Sequence, residues 1–279
     1  MAQTSREEVE RAVRNLQTLR GRDLRDLRLD GADLQGGVFE RCNLAGARMI
    51  GAKLDGAILL NCNLSNASLR MATLQEAMIK GGTLDSADLS DTLMMEASLT
   101  QLQLKKTRLR GANLTGAFLT DVQAQLADFA GATLRRVLLT RCAFLVCVMD
   151  DCEAGFLQGS RTDFTGSSLT GAQLDRAVLL GANFAMTRLN GASLRGCPMN
   201  NANFFHADLR EALFTKSNME GCHLLGVQAE GAQINGANLR KAFLSEGDFT
   251  GVVFDGAHLT EAKTDGAVFT GASFAGTRR

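Results

Sequence analysis

The chain has no tryptophan and no tyrosine, a single proline in 279 residues, and no net charge, since 30 basic side chains balance 30 acidic ones. Each shortage excludes something. A balanced charge argues against a dedicated nucleic-acid binder, which carries a basic excess over its phosphate-facing surface, and against a strongly acidic decoy. Long apolar runs are also missing. The longest, Cys142 to Met149, falls far short of the ~20 residues that cross a bilayer, and the N-terminus shows no apolar signal-peptide core. The expectation is a soluble, cytoplasmic protein. Missing wide aromatics beside 29 glycines do not suit an ordinary enzyme and direct attention to internal repetition.

What is present is a period of five. From Leu24 to Phe274, steps of five visit 51 positions, of which 46 are Leu, Phe, Met or Ile. The exceptions are Ala124, Ala154, Gly159, Ala229 and Thr264. Two residues before each such centre stands a small residue, Ala at 27 of 51 positions, and all seven cysteines share that phase: Cys42, Cys62, Cys142, Cys147, Cys152, Cys197 and Cys222. Two residues after each centre, 24 of the 29 glycines recur. Neither the 3.6 period of a helix nor the 2.0 period of a strand fits. One large and one small inward side chain per five residues, with glycine at a fixed phase, means short extended pieces joined by turns that need positive φ. Such a chain winds into coils, and the coils must stack to bury their centres.

Gly31-Ala32-Asp33-Leu34, Gly111-Ala112-Asn113-Leu114, Gly181-Ala182-Asn183-Phe184, Ala207-Asp208-Leu209 and Gly236-Ala237-Asn238-Leu239 resemble the A(D/N)Lxx unit of the pentapeptide-repeat family, over about nine-tenths of the chain. The resemblance implies an all-β fold, a right-handed four-sided parallel β-helix with twenty residues per coil. It also implies roughly 13 coils and, at ~4.8 Å per strand, a length of about 60 Å. The organisation then reads as an N-terminal capping helix and lead-in (1–20), the repeat solenoid (21–276) and a short tail (277–279). Residues twenty apart stack, so Phe144, Phe164, Phe184 and Phe204 are expected to form an internal ladder of rings.

Residues 5 to 19 follow a helical pattern, with Val9, Ala12, Val13, Leu16 and Leu19 on one face and Ser5 and Glu8 as a capping box. This amphipathic helix suits a lid over the first coil. At the other end only Ala275 to Arg279 follow the last centre. The last coil, centred on Leu259, Thr264, Phe269 and Phe274, is therefore expected to stay open and to pair end to end with a second copy about a two-fold axis. Relatives that dimerise this way support the expectation. Between Ala124 and Gly159 the pattern weakens while the register continues, and Leu157 is placed to fill the space left by Gly159. The readings here are local repacking, or a bend or surface feature used in recognition.

Reactive chemistry finds little support. The cysteine spacings are multiples of five with no histidine in phase, unlike zinc sites, so the thiols read as core filler. Only Cys42 and Cys62 stack directly, at a separation compatible with a disulfide, and a cytoplasmic setting favours thiols. His206, His223 and His258 are scattered on outward phases, and no carboxylate pair or nucleophile-base arrangement appears. The sequence predicts no enzyme activity, no metal and no cofactor.

The outward phase before each centre is more informative. On one face it reads Val38, Ile58, Met78, Ser98, Phe118, Leu138, Gln158, Val178, Pro198, flanked by Leu60 and Leu180. Six apolar residues there, Val38, Ile58, Met78, Phe118, Leu138 and Val178, form a candidate partner-binding stripe; the alternative is a half-exposed phase that tolerates Val. Charge is uneven beside it. Residues 76 to 96 hold Glu76, Asp85, Asp88, Asp91 and Glu96 against Lys80, whereas 101 to 141 are rich in Lys and Arg. That is either a solvated patchwork or an electrostatic guide for a partner.

The function expected is a non-enzymatic scaffold or adaptor for a partner protein of unknown identity, with no membrane and no direct nucleic-acid contact. The lead-in from Arg6 to Leu24 is similar to pentapeptide-repeat proteins encoded with bacterial type VI secretion systems, which implies a role beside such machinery. The alternative from the family is DNA mimicry. Its quinolone-resistance and toxin-immunity members are acidic dimers that bind DNA gyrase or topoisomerase IV. Here the charge is zero, and Arg28, Arg48, Arg108 and Arg188 share one outer face, which puts a polyanionic surface in doubt.

Overall fold

The computed structural model describes residues 4–279, which form two compact units, the first ending at Cys142 and the second spanning Ala143–Arg279. Both are parallel β-solenoids with a twenty-residue repeat.

The first unit opens with α1, Arg6–Arg14, capped by Ser5 and Glu8 in a reciprocal capping box. Its apolar face, Val9, Ala12 and Val13, is buried, and Val13 sits so close over Gly37 that a Cβ there would lie 2.9 Å from its Cγ2. Arg6 ties the helix down through a 3.0 Å bond from Nη1 to the Asp30 carbonyl. The helix is shorter than the pattern over 5–19 predicts. It ends at Arg14, and Leu16 leaves it with φ +54 and is 90% exposed. The reason is register: Leu16 already occupies the left-handed phase of the five-residue repeat, and Leu19 is the first inward strand residue.

The strands are β1 Leu19–Arg20, β2 Val38–Glu40, β3 Ile58–Asn63, β4 Met78–Thr83, β5 Ser98–Thr100, β6 Phe118–Thr120 and β7 Leu138–Thr140. They form one seven-stranded parallel sheet in chain order, each residue pairing with the one twenty positions on, as Leu19 with Phe39 and Phe118 with Leu138. The other sides are shorter bridges in the same register, such as Asp23 with Asn43, Arg28 with Arg48 and Asp33 with Lys53. Two residues of every five are spent on a corner, so the extended piece on those sides stays short.

The corners explain the glycine phase. Every fifth residue from Leu16 to Gly276 has positive φ, 24 of them glycine and 29 not. At Leu29–Ala32 the Ala32 N–H donates to the Leu29 carbonyl at 3.0 Å and Gly31 has φ +64, the signature of a type II turn. Along the coil axis the centre donates forward, Leu24 N–H to the Asn43 carbonyl at 2.8 Å, and the outward neighbour donates back, Asn43 N–H to the Arg22 carbonyl at 2.9 Å. These rungs satisfy the main chain that a coil would otherwise bury unpaired.

The second unit repeats this scheme with bridges from Ala143–Asp163 to His258–Arg278. The expected phenyl ladder is present: ring centroids lie 5.6 Å apart for Phe144 and Phe164, 5.0 Å for Phe164 and Phe184, and 5.1 Å for Phe184 and Phe204, all stacked. The register does continue through the irregular stretch, and Leu157 is buried where Gly159 has no side chain; a Cβ on Gly159 would lie 2.7 Å from Leu157 Cδ2. Phe156 instead takes a left-handed corner at the surface, with the Arg176 guanidinium 5.6 Å from its ring centre. Among the described residues no helix is long and apolar enough to cross a membrane.

Candidate interaction surfaces

In the first unit, in-register pairing turns a periodic sequence feature into a surface. Val38, Ile58, Met78, Ser98, Phe118 and Leu138 are successive Cα partners along β2 to β7. Their neighbours in each strand, such as Phe39 and Leu119, point inward and are buried, so these six point outward. Phe118 is 50% exposed, Met78 42% and Leu138 40%; Val38, Ile58 and Ser98 are half-buried. Leu60 pairs between Glu40 and Lys80 on the adjoining outward column. Of the six apolar residues singled out in the sequence, five therefore form one column. Val178 lies in the second unit, half-buried and bridged to Gln158, with Leu180 exposed beside it.

Charges around the column are partly self-neutralised. Arg20 pairs with Glu40 at 2.6 Å and Arg141 with Asp121 at 2.6 Å, and the Arg141 hydrogen bonds hold the Asp121 carboxyl below the usual carboxylate range. Glu76, Glu96, Arg135 and Arg136 are exposed.

A second apolar feature was not read from the sequence. On one corner of the second unit the twenty-residue column reads Leu145, Thr165, Ala185, Phe205 and Leu225, apolar at all but Thr165, beside Val146 and Met186, which are 52% and 59% exposed. The signal lay in the two residues after each centre, where the first unit has Arg25, Ser65, Asp85 and Lys105.

Leu259, Thr264, Phe269 and Phe274 line a depression of about 410 Å³ together with Glu261, Ala262 and Arg279. Phe269 and Phe274 meet edge to face at 5.7 Å, and the Arg279 guanidinium lies 4.6 Å above the Phe274 ring. The N–H groups of Gly266, Phe269, Gly271 and Phe274 find no main-chain acceptor among the described residues.

All seven cysteines are free and buried. Cys42 donates to the Leu19 carbonyl at 3.1 Å, Cys197 to that of Leu174 at 3.0 Å and Cys222 to that of Met199 at 3.0 Å. Burial pushes the Cys152, Cys197 and Cys222 thiols up to about 12. Protonated thiols of this kind are poor nucleophiles and poor metal ligands. No group of three or more His, Cys, Asp or Glu suited to a metal occurs among the described residues. His206 and His223 are exposed and His258 is half-buried; His223 stacks on Phe243 at 4.7 Å, and Lys263 lies 5.0 Å from that ring. Polar ladders complete the outer faces: Asn203 Nδ2 donates to Asn183 Oδ1 at 2.9 Å, and Asn183 Nδ2 to Asp163 Oδ1 at 3.1 Å.

Among solved structures the chain is similar to HetL, a pentapeptide repeat protein involved in heterocyst differentiation regulation in the cyanobacterium Nostoc sp. strain PCC 7120. The identity is 21% over 97% of this chain and 94% of that one, with a TM-score of 0.30. It is similar to the plasmid-mediated fluoroquinolone resistance protein QnrB1 at 21% identity, over 62% of this chain and 89% of that one, with a TM-score of 0.35. It is also similar to a pentapeptide repeat protein of the Arabidopsis thaliana thylakoid lumen at 29% identity, over 40% and 71%, with a TM-score of 0.17. No curated protein sequence matches it. The family model for pentapeptide repeats matches in eight copies, over residues 23–59, 60–91, 103–141, 160–196, 202–240, 232–271 and 253–278. With that match across most of its length, and with a five-residue period folded into twenty-residue coils, the chain belongs to the pentapeptide-repeat family.

Proposed function

We propose that the protein is a non-enzymatic interaction scaffold, and that it binds a partner protein through the outward column Val38, Ile58, Met78, Phe118 and Leu138. One observation carries this reading. Met78, Phe118 and Leu138, exposed by 40 to 50%, and the half-buried Val38 and Ile58 share one outward column, interrupted only by Ser98, on a sheet whose inner face is already filled. Isolated surface hydrophobics are ordinary, but an aligned series marks an interaction site. The protonated thiols of Cys152, Cys197 and Cys222 and the dispersed histidines accord with a binding role.

The test is capture by tagged protein from the native host, compared with the Phe118→Asp/Leu138→Asp double variant. Both positions point outward, so the β-sheet circular dichroism should be retained while capture is lost. Undiminished capture overturns the reading. At the depression lined by Leu259, Phe269 and Phe274, we propose pairing with a second copy through the apolar layer. A monomer by light scattering at micromolar concentration, with wild-type chain, excludes it.

A further inference from the structure

We infer that the occupant of the column in the first unit is an amphipathic α-helix, laid across the strands, which inserts one large apolar side chain over Ser98 between Met78 and Phe118. This rests on the column being the binding surface. Three independent features favour a helix.

The first is the state of the main chain. Along this face the strand N–H groups are already used: Ile58 donates to Gly37, Met78 to Ala57, Ser98 to Ala77, Phe118 to Ala97 and Leu138 to Ala117, at 2.8 to 3.0 Å. No strand edge is offered, so an extended peptide cannot add to the sheet here. An occupant that covers the column must satisfy its own buried main chain, which a helix does within itself.

The second is spacing. Successive rungs recur at about 4.8 Å, and a helix repeats its surface every 5.4 Å or so along its axis. One apolar side chain per helical turn thus stays close to phase with one per rung over three or four turns. The column is also not level. Ser98 is the in-register partner of both Met78 and Phe118, and it is half-buried and short between side chains that are 42% and 50% exposed. That is a notch two rungs wide, about 9.6 Å, which receives one Leu- or Phe-sized knob.

The third is charge. Glu76 and Glu96 stand on the corner that leads into Met78 and Ser98, and Arg135 and Arg136 on the equivalent corner before Leu138. All four are exposed, and none has an ion-pair partner among the described residues. Glu76 and Arg136 are three rungs apart, about 14 Å, or roughly ten residues of helix. The complementary helix carries basic side chains at one end of its flank and acidic ones about ten residues away.

The experiment uses the full chain and three synthetic leucine-faced helical peptides, each with one tryptophan. The protein has none, so peptide fluorescence reports binding alone. One peptide has Lys at one end of its flank and Glu ten residues along; the controls carry Lys at both ends or Glu at both ends. The mixed peptide should bind about tenfold more tightly than either control at low salt, and Glu76→Gln/Glu96→Gln should remove its advantage over the control with Glu at both ends while leaving that over the control with Lys at both ends. Ser98→Phe is the sharper variant. It adds apolar surface at an outward strand position, so an unspecific greasy stripe would bind as well or better; a knob in a notch predicts about tenfold weaker binding with circular dichroism unchanged. Equal or tighter binding by Ser98→Phe, or no preference for the mixed peptide, overturns the helix. If host capture is still lost in Phe118→Asp/Leu138→Asp, the column survives as a surface and only its occupant is wrong; if capture persists, both fall.

Discussion

Cys62 and Gly82 are in-register partners in β3 and β4, and a Cβ on Gly82 would lie 2.0 Å from the Cys62 carbonyl oxygen. Gly82 also has φ +87. Its phase is the small inward one, where alanine is the usual occupant, so the sequence alone makes Gly82→Ala look harmless. It should instead cost about 2–3 kcal/mol, read from the urea midpoint, because the obstacle is backbone that cannot rotate away. Gly131→Ala is the control: that corner has φ +65 with open space around it, and only the left-handed penalty of about 1 kcal/mol applies.

Val146 bears the opposite prediction. It is β-branched, held at φ +55 and 52% exposed, so it suffers the left-handed strain and returns little burial. Val146→Gly should raise stability by about 1 kcal/mol by thermal or urea unfolding. A loss would show that its contact with the neighbouring coil outweighs the strain.

Leu157 and Gly159 exchange roles relative to the repeat. Leu157→Ala should cost about 2–4 kcal/mol by opening a void, and Gly159→Leu should destabilise because its side chain meets Leu157. The double variant Leu157→Ala/Gly159→Leu restores the ordinary order of small residue then large centre. It should recover most of both losses, and a double-mutant cycle with coupling below about 0.5 kcal/mol would count against the exchange.

The buried thiols set an alkaline limit. In the unfolded chain a thiol ionises near 9.0, whereas native Cys152, Cys197 and Cys222 keep their protons up to about 12. Below pH 9 both states are protonated and the full stability is present; as pH climbs from 9 towards 12 the unfolded chain binds fewer protons, so stability falls. The urea midpoint should drop across that window, less so in a Cys152→Ala/Cys197→Ala/Cys222→Ala variant compared with itself at neutral pH. The absorbance difference between the wild-type chain and that variant, which reports these three thiolates, should rise only with unfolding, in a spectrum that tyrosine and tryptophan do not obscure.

The solenoid was legible because its period is local and unbroken: Leu24 to Phe274 names the inward layer, and spacing by twenty places Phe144 over Phe164. The end of α1 was not. Leu16 fits the helical face by periodicity, but the five-residue register claims it for a corner, and a three-turn amphipathic pattern cannot show which rule prevails. The candidate column was legible for the same reason as the core. The notch at Ser98 was visible only as an interruption, and its depth depends on how far Met78 and Phe118 stand out. The ridge at Leu145, Phe205 and Leu225 escaped because it uses corner positions, where apolar residues have no role in the core.

The corners hold φ positive whether the residue is glycine, aspartate, lysine or valine. Backbone shape is therefore imposed by the stack and not requested by each residue. A consequence is that the protein separates two kinds of inheritance: inward letters preserve the architecture, while outward and corner letters can drift, acquire a partner or lose one without disturbing it. Such a chain is a substrate for new binding specificities, its surface revisable one side chain at a time.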